Sequence, residues 1–201
     1  FLAKAEENKA PIYFAADLVT EVFPSDLIGD YQFHNKKTVQ QTIAVLNFQN
    51  EFKVSDENLK SGLLKVVKNT GLQGRWQQLG ENPKIICDTA HNKHGLAVVM
   101  NQIQKETFDN LHIVLGVVND KDLDSILPLF PKNAQYYFCR PDSSRGLDTE
   151  ILKEVAKKYD LLGEKYNSVA EAFAEAKQNA TENDFIYVGG STFVVAELPL
   201  N

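Results

Sequence analysis

Between Gly71 and Gly95 the chain reads Gly-Leu-Gln-Gly-Arg-Trp-Gln-Gln-Leu and then, from Ile85, Ile-Ile-Cys-Asp-Thr-Ala-His-Asn-Lys-His-Gly. The apolar run Ile85–Cys87 has the length of a buried strand, it stops at Asp88, and a helical apolar pattern begins after Asn92. Asp88 therefore sits at the carboxyl end of a strand. In open α/β sheets ligands gather there, and the next helix offers unpaired N–H groups to anions. Asp88 and His91, three apart across that turn, are placed to face one ligand. The plainer alternative is that Asp88 only caps the helix while His91 is solvated. Spacing alone leaves both open.

From Arg75 onward strand and helix patterns alternate, which is the signature of a mostly parallel, Rossmann-like α/β sheet with right-handed crossovers. Strands are expected at Leu111–Val118, Gln135–Cys139 and Phe185–Val188. Helices are expected at Lys93–Lys105, Leu123–Phe130, Asp148–Tyr159, Ser168–Asn179 and Ser191–Leu198. Upstream, Pro11–Ala15 reads as a short strand, and the spacing of Val39, Ile43, Val45 and Leu46 predicts a helix from about Asn35 to Phe48. Another helix is expected over Ser55–Lys68, with Ser55 as N-cap, Asp56 and Glu57 in the first turn and lysines toward its end. Gly71 suits a left-handed cap, so a domain boundary is placed there, giving units 1–70 and 71–201.

Composition narrows the function classes. A formal net charge of −6 and a pI near 5.3 disfavour nucleic-acid and membrane-surface roles. No apolar run approaches the roughly 20 residues that span a bilayer, and no signal-peptide pattern opens the chain, so a cytoplasmic protein is expected. Cys87 and Cys139 both lie in apolar runs, which predicts buried thiols rather than a disulfide, and no Cys or His cluster has metal spacing. The chain starts at Phe1, without Met, and reads as a fragment.

Several segments carry a family resemblance. Gly74-Arg75-Trp76-Gln77 followed by Asp88-Thr89-Ala90-His91-Asn92 resembles signatures of folylpolyglutamate synthase and dihydrofolate synthase, members of the Mur ligase superfamily, with Lys93 where that family usually has Pro. Gly29-x-Tyr31-Gln32-x-x-Asn35 is similar to a further segment of the same ligases. After the strand at Leu111, Gly116 to Asp122 resembles their Gly-x-x-x-Asp-Lys-Asp, and Gly190-Ser191 their Gly-Ser; Arg145-Gly146 matches a frequent Arg-Ala to which the resemblance assigns no role.

The resemblance implies an ATP- and magnesium-dependent ligase that adds glutamate to a folate or pteroate through an acyl phosphate. It places Asn35, Arg75, Asp88 and His91 at the nucleotide and Asn92, Lys121 and Ser191 at glutamate, with His91 and Lys121 nearest the chemistry. No residue here is implied as a metal ligand. Residues 1–70 would be the tail of a central ATPase domain and 71–201 the C-terminal ligase domain. The phosphate-binding loop Gly-x-x-x-x-Gly-Lys-Ser/Thr occurs nowhere in the chain. In the family it, the folate pocket and a modified lysine lie upstream, and the domains close on each other; a monomer is expected. A peptidoglycan-precursor Mur ligase and a non-catalytic Rossmann-like binding module are the alternatives. A dinucleotide oxidoreductase is disfavoured, because no Gly-x-Gly-x-x-Gly follows a strand.

Overall fold

The computed structural model describes residues 1–49 and 53–199. The chain divides into two compact units, Phe1–Leu72 and Gln73–Asn201.

The first unit is helical: α1 (Leu2–Glu7), α2 (Ala15–Leu18), α3 (Gln32–Phe48), α4 (Asp56–Leu63) and α5 (Val66–Thr70). Pro11–Ala15, expected as strand, is not one: residues 11–14 carry no regular structure and Ala15 opens α2. An extended apolar run needs a partner to satisfy its backbone, and none of the described residues pairs with this one. The helix expected from Asn35 begins earlier, at Gln32, so Asn35 sits in its first turn with Nδ2 donating to Gln32 Oε1 at 2.9 Å. Ser55 caps α4 as expected, accepting from Asn58 N. The single helix expected over Ser55–Lys68, however, breaks at Leu64-Lys65. Asp26 is the cause, since its two carboxylate oxygens accept from Val66 N (3.1 Å) and Val67 N (3.0 Å) and start a new helix there. Gly71 closes α5 in the left-handed conformation, φ +66°. Leu63 is the only described apolar residue of this unit that is fully buried.

The second unit holds a six-stranded sheet: β1 (Gln77–Glu81), β2 (Lys84–Asp88), β3 (Leu111–Leu115), β4 (Gln135–Phe138), β5 (Gly163–Lys165) and β6 (Phe185–Gly189). Their order is β1-β2-β6-β3-β4-β5. Only β1 runs antiparallel; every other pairing is parallel. The mostly parallel α/β sheet read from the alternation is thus the fold. Helices α6 (Lys93–Ile103), α7 (Leu123–Ile126), α8 (Thr149–Lys157), α9 (Val169–Asn179) and α10 (Thr192–Ala196) join the strands. Right-handed crossovers carry α6 to α8 over one face as the chain moves outward, and α9 over the other as it returns to lay β6 between β2 and β3.

Burial follows the two periodicities. Ile85, Cys87, Val114, Tyr137, Cys139, Ile186 and Val188 alternate onto one face, where they meet Val169, Ala172, Phe173 and Ala176, the apolar stripe of α9. Val194 and Val195 of α10 complete that layer. The intervening Ile86, Ile113, Leu115, Tyr136, Phe138, Phe185 and Tyr187 are also fully buried, so the sheet is covered on both faces. Both cysteines are buried and unbonded; burial pushes the Cys87 thiol up to about 12, helped by the adjacent Asp88, and raises Cys139 as well. Among the described residues no helix is long and apolar enough to cross a membrane.

Several expected boundaries shift. The strand beginning at Leu111 ends at Leu115, and Leu123–Phe130 is one turn of α-helix followed by a 3-10 turn, Leu127–Leu129, with Pro128 inside it. Val117 and Val118 are buried by a loop rather than a strand, since Leu147 N donates to Val117 O and Val118 forms a lone bridge with Gly146.

At the amino end of the sheet, Asp184 ties β6 to β3. It accepts from Thr181 N (2.7 Å) and Oγ1 (3.0 Å), and from Asn110 N and Nδ2 (both 2.9 Å), with His112 Nε2 3.5 Å away. Burial raises its pKa, but these donors outweigh that and hold it near 2. A carboxylate lowered from an ordinary value of 3.8 contributes stability that is complete above that pH and lost as pH falls toward 2. Acid titration followed by circular dichroism is therefore expected to show a stability loss between about pH 4 and pH 2 that Asp184→Asn removes, at the cost of lower stability at pH 7.

Candidate functional site

Parallel register brings the strand ends together. Asp88 pairs with Gly189, Gly189 with Leu115, and Leu115 with Phe138, so four strands end level and their loops leave from one rim. Asp88 with His91 and Asn92, Lys121, Arg145 and Ser191 all lie on those loops.

Asp88 is 2% exposed. Its Oδ2 accepts from Trp76 N at 2.7 Å and its Oδ1 from Ala90 N at 2.8 Å. One carboxylate thus joins the arm before β1 to the turn after β2. Trp76, 2% exposed, holds φ +50°, a conformation that a bulky residue adopts only when its surroundings enforce it. Gly74, φ +67°, makes the arm's close approach feasible: a Cβ there would lie 2.7 Å from Thr89 Cγ2 and 2.9 Å from Val195 Cγ1. Thr89 N donates back to Gly74 O at 3.0 Å. Within this frame Arg75 directs Nη1 to Gly74 O and to Thr89 Oγ1, and its other guanidinium N–H groups have no partner among the described residues.

His91 is half-buried with Nδ1 3.0 Å from Thr89 O. A carbonyl only accepts, so Nδ1 is the donor in this contact, and Nε2 has no partner among the described residues. Asn92 is exposed and caps α6, accepting from Gly95 N at 2.9 Å. The helix is therefore capped by Asn92, while Asp88 clamps the loop that precedes it.

Lys121 lies half-buried in the turn after β3, its backbone N donating to Val118 O, and no described residue pairs with its ammonium. Ser191 is 2% exposed and caps α10, its Oγ accepting from Phe193 N at 3.2 Å. Gly190, φ +93°, lets that turn pass over β3; a Cβ there would meet Gly116 O at 2.6 Å. Arg145 reaches across, pairing with Asp120 and laying its guanidinium 5.9 Å from the Phe193 ring centre. Asp142 N donates to Glu197 Oε1 at 2.6 Å. Asn35 belongs to the first unit and is described only within it.

Lys121 and Arg75 hence offer a rim cation and guanidinium N–H groups, a pair suited to an anionic ligand, with His91 on the same rim. Among the described residues no group of three or more His, Cys, Asp or Glu is placed to hold a metal. The motif reading singled out Arg75 and Asp88 but not the clamp through Trp76, nor the convergence of Arg145, Asp120 and Phe193; both depend on pairs distant in sequence.

A fold of this order, with four loops on one rim and a Gly-Arg arm folded onto the first of them, matches a known domain. The model of the Mur ligase glutamate ligase domain covers residues 74–192, and the chain belongs to the Mur ligase family. Over 196 residues, 96% of the chain, it is 31% identical to a probable bifunctional folylpolyglutamate synthase/dihydropteroate synthase of Haloferax volcanii, of which it spans 22%. Over 152 residues, 75% of the chain, it is 30% identical to the dihydrofolate synthase/folylpolyglutamate synthase of Buchnera aphidicola subsp. Schizaphis graminum, spanning 35% of that protein. The solved structure of E. coli FolC in complex with DHPP and ADP superposes with a TM-score of 0.72 at 25% identity, covering 87% of this chain and 39% of the other. The chain thus spans well under half the length of these relatives.

Trp76 is the only tryptophan and reports on the clamp. Asp88→Ala leaves two backbone N–H groups without these acceptors, and is expected to cost roughly 2–4 kcal/mol in urea unfolding. It is also expected to red-shift the Trp76 emission and open it to acrylamide quenching, with Asp88→Asn, which keeps one carbonyl acceptor, falling between.

Proposed function

We propose that the protein containing this chain is a cytoplasmic folylpolyglutamate synthase, with or without dihydrofolate synthase activity, and that residues 73–201 bring glutamate to the reaction. A carboxylate is a poor electrophile because its leaving group would be an oxide. Transfer of the ATP γ-phosphoryl group to a carboxylate oxygen, releasing ADP, makes an acyl phosphate. The glutamate amine, having lost its ammonium proton, attacks the acyl carbon; the C–N bond forms, the C–O bond to phosphate breaks with its electron pair leaving on phosphate, and the nitrogen sheds a second proton to water or the departing phosphate as the amide forms. Such a sequence demands positioning and charge neutralisation rather than a protein nucleophile.

In this reading Arg75 and His91 face the nucleotide, Arg75 through its unpaired guanidinium N–H groups toward phosphate oxygens and His91 through Nε2. Asp88 holds arm and turn in place; a bond from ribose hydroxyls would share an oxygen already accepting from Trp76 or Ala90. Asn35, in the first unit, is assigned to the nucleotide base. Lys121 takes a carboxylate of the incoming glutamate, flanked by Asn92 and Ser191. Phosphoryl transfer uses magnesium, for which the described residues make no cage, so no step here runs through it. Residues 1–72, with Leu63 the one buried apolar side chain among those described and Ile12, Tyr13, Phe14, Leu18 and Phe33 exposed, read as a piece of a larger ATPase domain.

The observation that carries the proposal is the level rim on which Lys121, half-buried and without a partner among the described residues, stands beside the loops of Asp88 and Ser191. In the full-length protein, assayed with dihydropteroate and with tetrahydrofolate as acceptors, Lys121→Ala is expected to raise the glutamate KM roughly 10- to 100-fold while the ATP KM stays within about twofold. An unchanged glutamate KM rejects the assignment. The 201-residue chain by itself is expected to show no ATP turnover, because it lacks a phosphate-binding loop; a coupled ADP-release assay checks this.

A further inference from the structure

We propose that Arg145 is a positioning residue that sets the distance between the Lys121 turn and the Ser191 turn. The inference rests on the amino-acid site assigned above and adds a residue for which the family resemblance supplies no role.

Arg145 lies in the loop after β4, and it is the one described residue that joins this loop to both neighbours through its side chain. Its Nη2 pairs with Asp120, immediately before Lys121, while its guanidinium lies 5.9 Å from the ring centre of Phe193, two residues after Ser191. Its own backbone is held, since Arg145 O accepts from Asn119 N at 2.8 Å and its N donates to Ser143 Oγ at 3.2 Å. Both partners are rigidly coupled to the residues they serve. Lys121 N closes the turn onto Val118 O at 3.3 Å, and Phe193 N is the group that Ser191 Oγ caps.

Stability does not account for the arrangement. The side chains of Arg145 and Asp120 are 52% and 53% exposed, and ion pairs so exposed contribute about 0–1 kcal/mol. Arginine is nevertheless specified, because a planar guanidinium donates in its plane to a carboxylate while offering its face to an aromatic ring, and an ammonium does not do both. Engaging Asp120 also keeps that carboxylate off the neighbouring Lys121 ammonium, leaving the charge for a ligand.

The test uses full-length protein carrying Arg145→Ala, Arg145→Lys, Asp120→Asn or the Arg145→Ala/Asp120→Asn pair, with Lys121→Ala as reference. Arg145→Ala is expected to raise the glutamate KM about tenfold, with the ATP KM within about twofold and the melting temperature within about 2 °C. Arg145→Lys recovers part of the loss, Asp120→Asn gives a similar rise, and the double variant is no worse than either single one, as coupled residues require. If Lys121→Ala raises the glutamate KM and Arg145→Ala does not, the positioning role is wrong and the site assignment stands. If Lys121→Ala leaves it unchanged, the assignment itself fails. Equal rises in both KM values with a lower melting temperature, or additive effects in the double variant, mark Arg145 as merely structural and overturn the inference.

Discussion

Pairing of β6 with two parallel neighbours at once is the interaction on which the site depends. Gly189 is in register with Asp88 on one side and Leu115 on the other, and this places three loops at the same height. The helix that leaves β6 then becomes their common support. Val195 packs under Gly74, Phe193 under Arg145, and Glu197, just past the helix, accepts from the backbone at Asp142. A shift of one residue in either pairing would turn every side chain of β6 to the opposite face and separate these contacts, so the apolar alternation of Ile186 and Val188 secures the rim as well as the core.

The two ends of the sheet use polar groups in opposite ways. At the amino end the polar groups are buried and spent on fastening strands: His112 bonds the Tyr137 hydroxyl, to which Asn179 also donates, and Asp184 accepts from Asn110 and Thr181. At the carboxyl end Asp88 is consumed in holding backbone, while Arg75, His91 and Lys121 are left half-buried with binding capacity to spare. A rigid end and an end with unspent donors are what a scaffold that presents a ligand site requires.

The fold was legible because buried parallel strands are short apolar runs and the helices between them are amphipathic; Ile85–Cys87, Gln135–Cys139 and Phe185–Val188 needed no tertiary information to be recognised. Both missed strands lie at edges, where Gln77–Glu81 is mostly polar and Gly163–Lys165 has three residues and no apolar side chain. Leu111–Val118 looks like one long strand because Val117 and Val118 are apolar for a loop's sake, and Ser55–Lys68 looks continuous because the carboxylate that splits it, Asp26, comes from far upstream. The same distance hid parts of the site. Motifs pointed to Arg75, Asp88, Lys121 and Ser191 one at a time, but that Asp88 is a clamp and that Arg145 spans two loops emerges only from contacts between segments remote in the chain.

The strand in the middle of the sheet is made last. As the polypeptide emerges, β2 and β3 are synthesised with a gap of one strand between them, and neither inner edge has its native partner until residue 189 has been added. The second unit therefore cannot assemble piece by piece as it is translated. It holds two open apolar edges until a late segment slots in, and during that interval a chaperone, or a neighbouring chain, competes for the vacant groove.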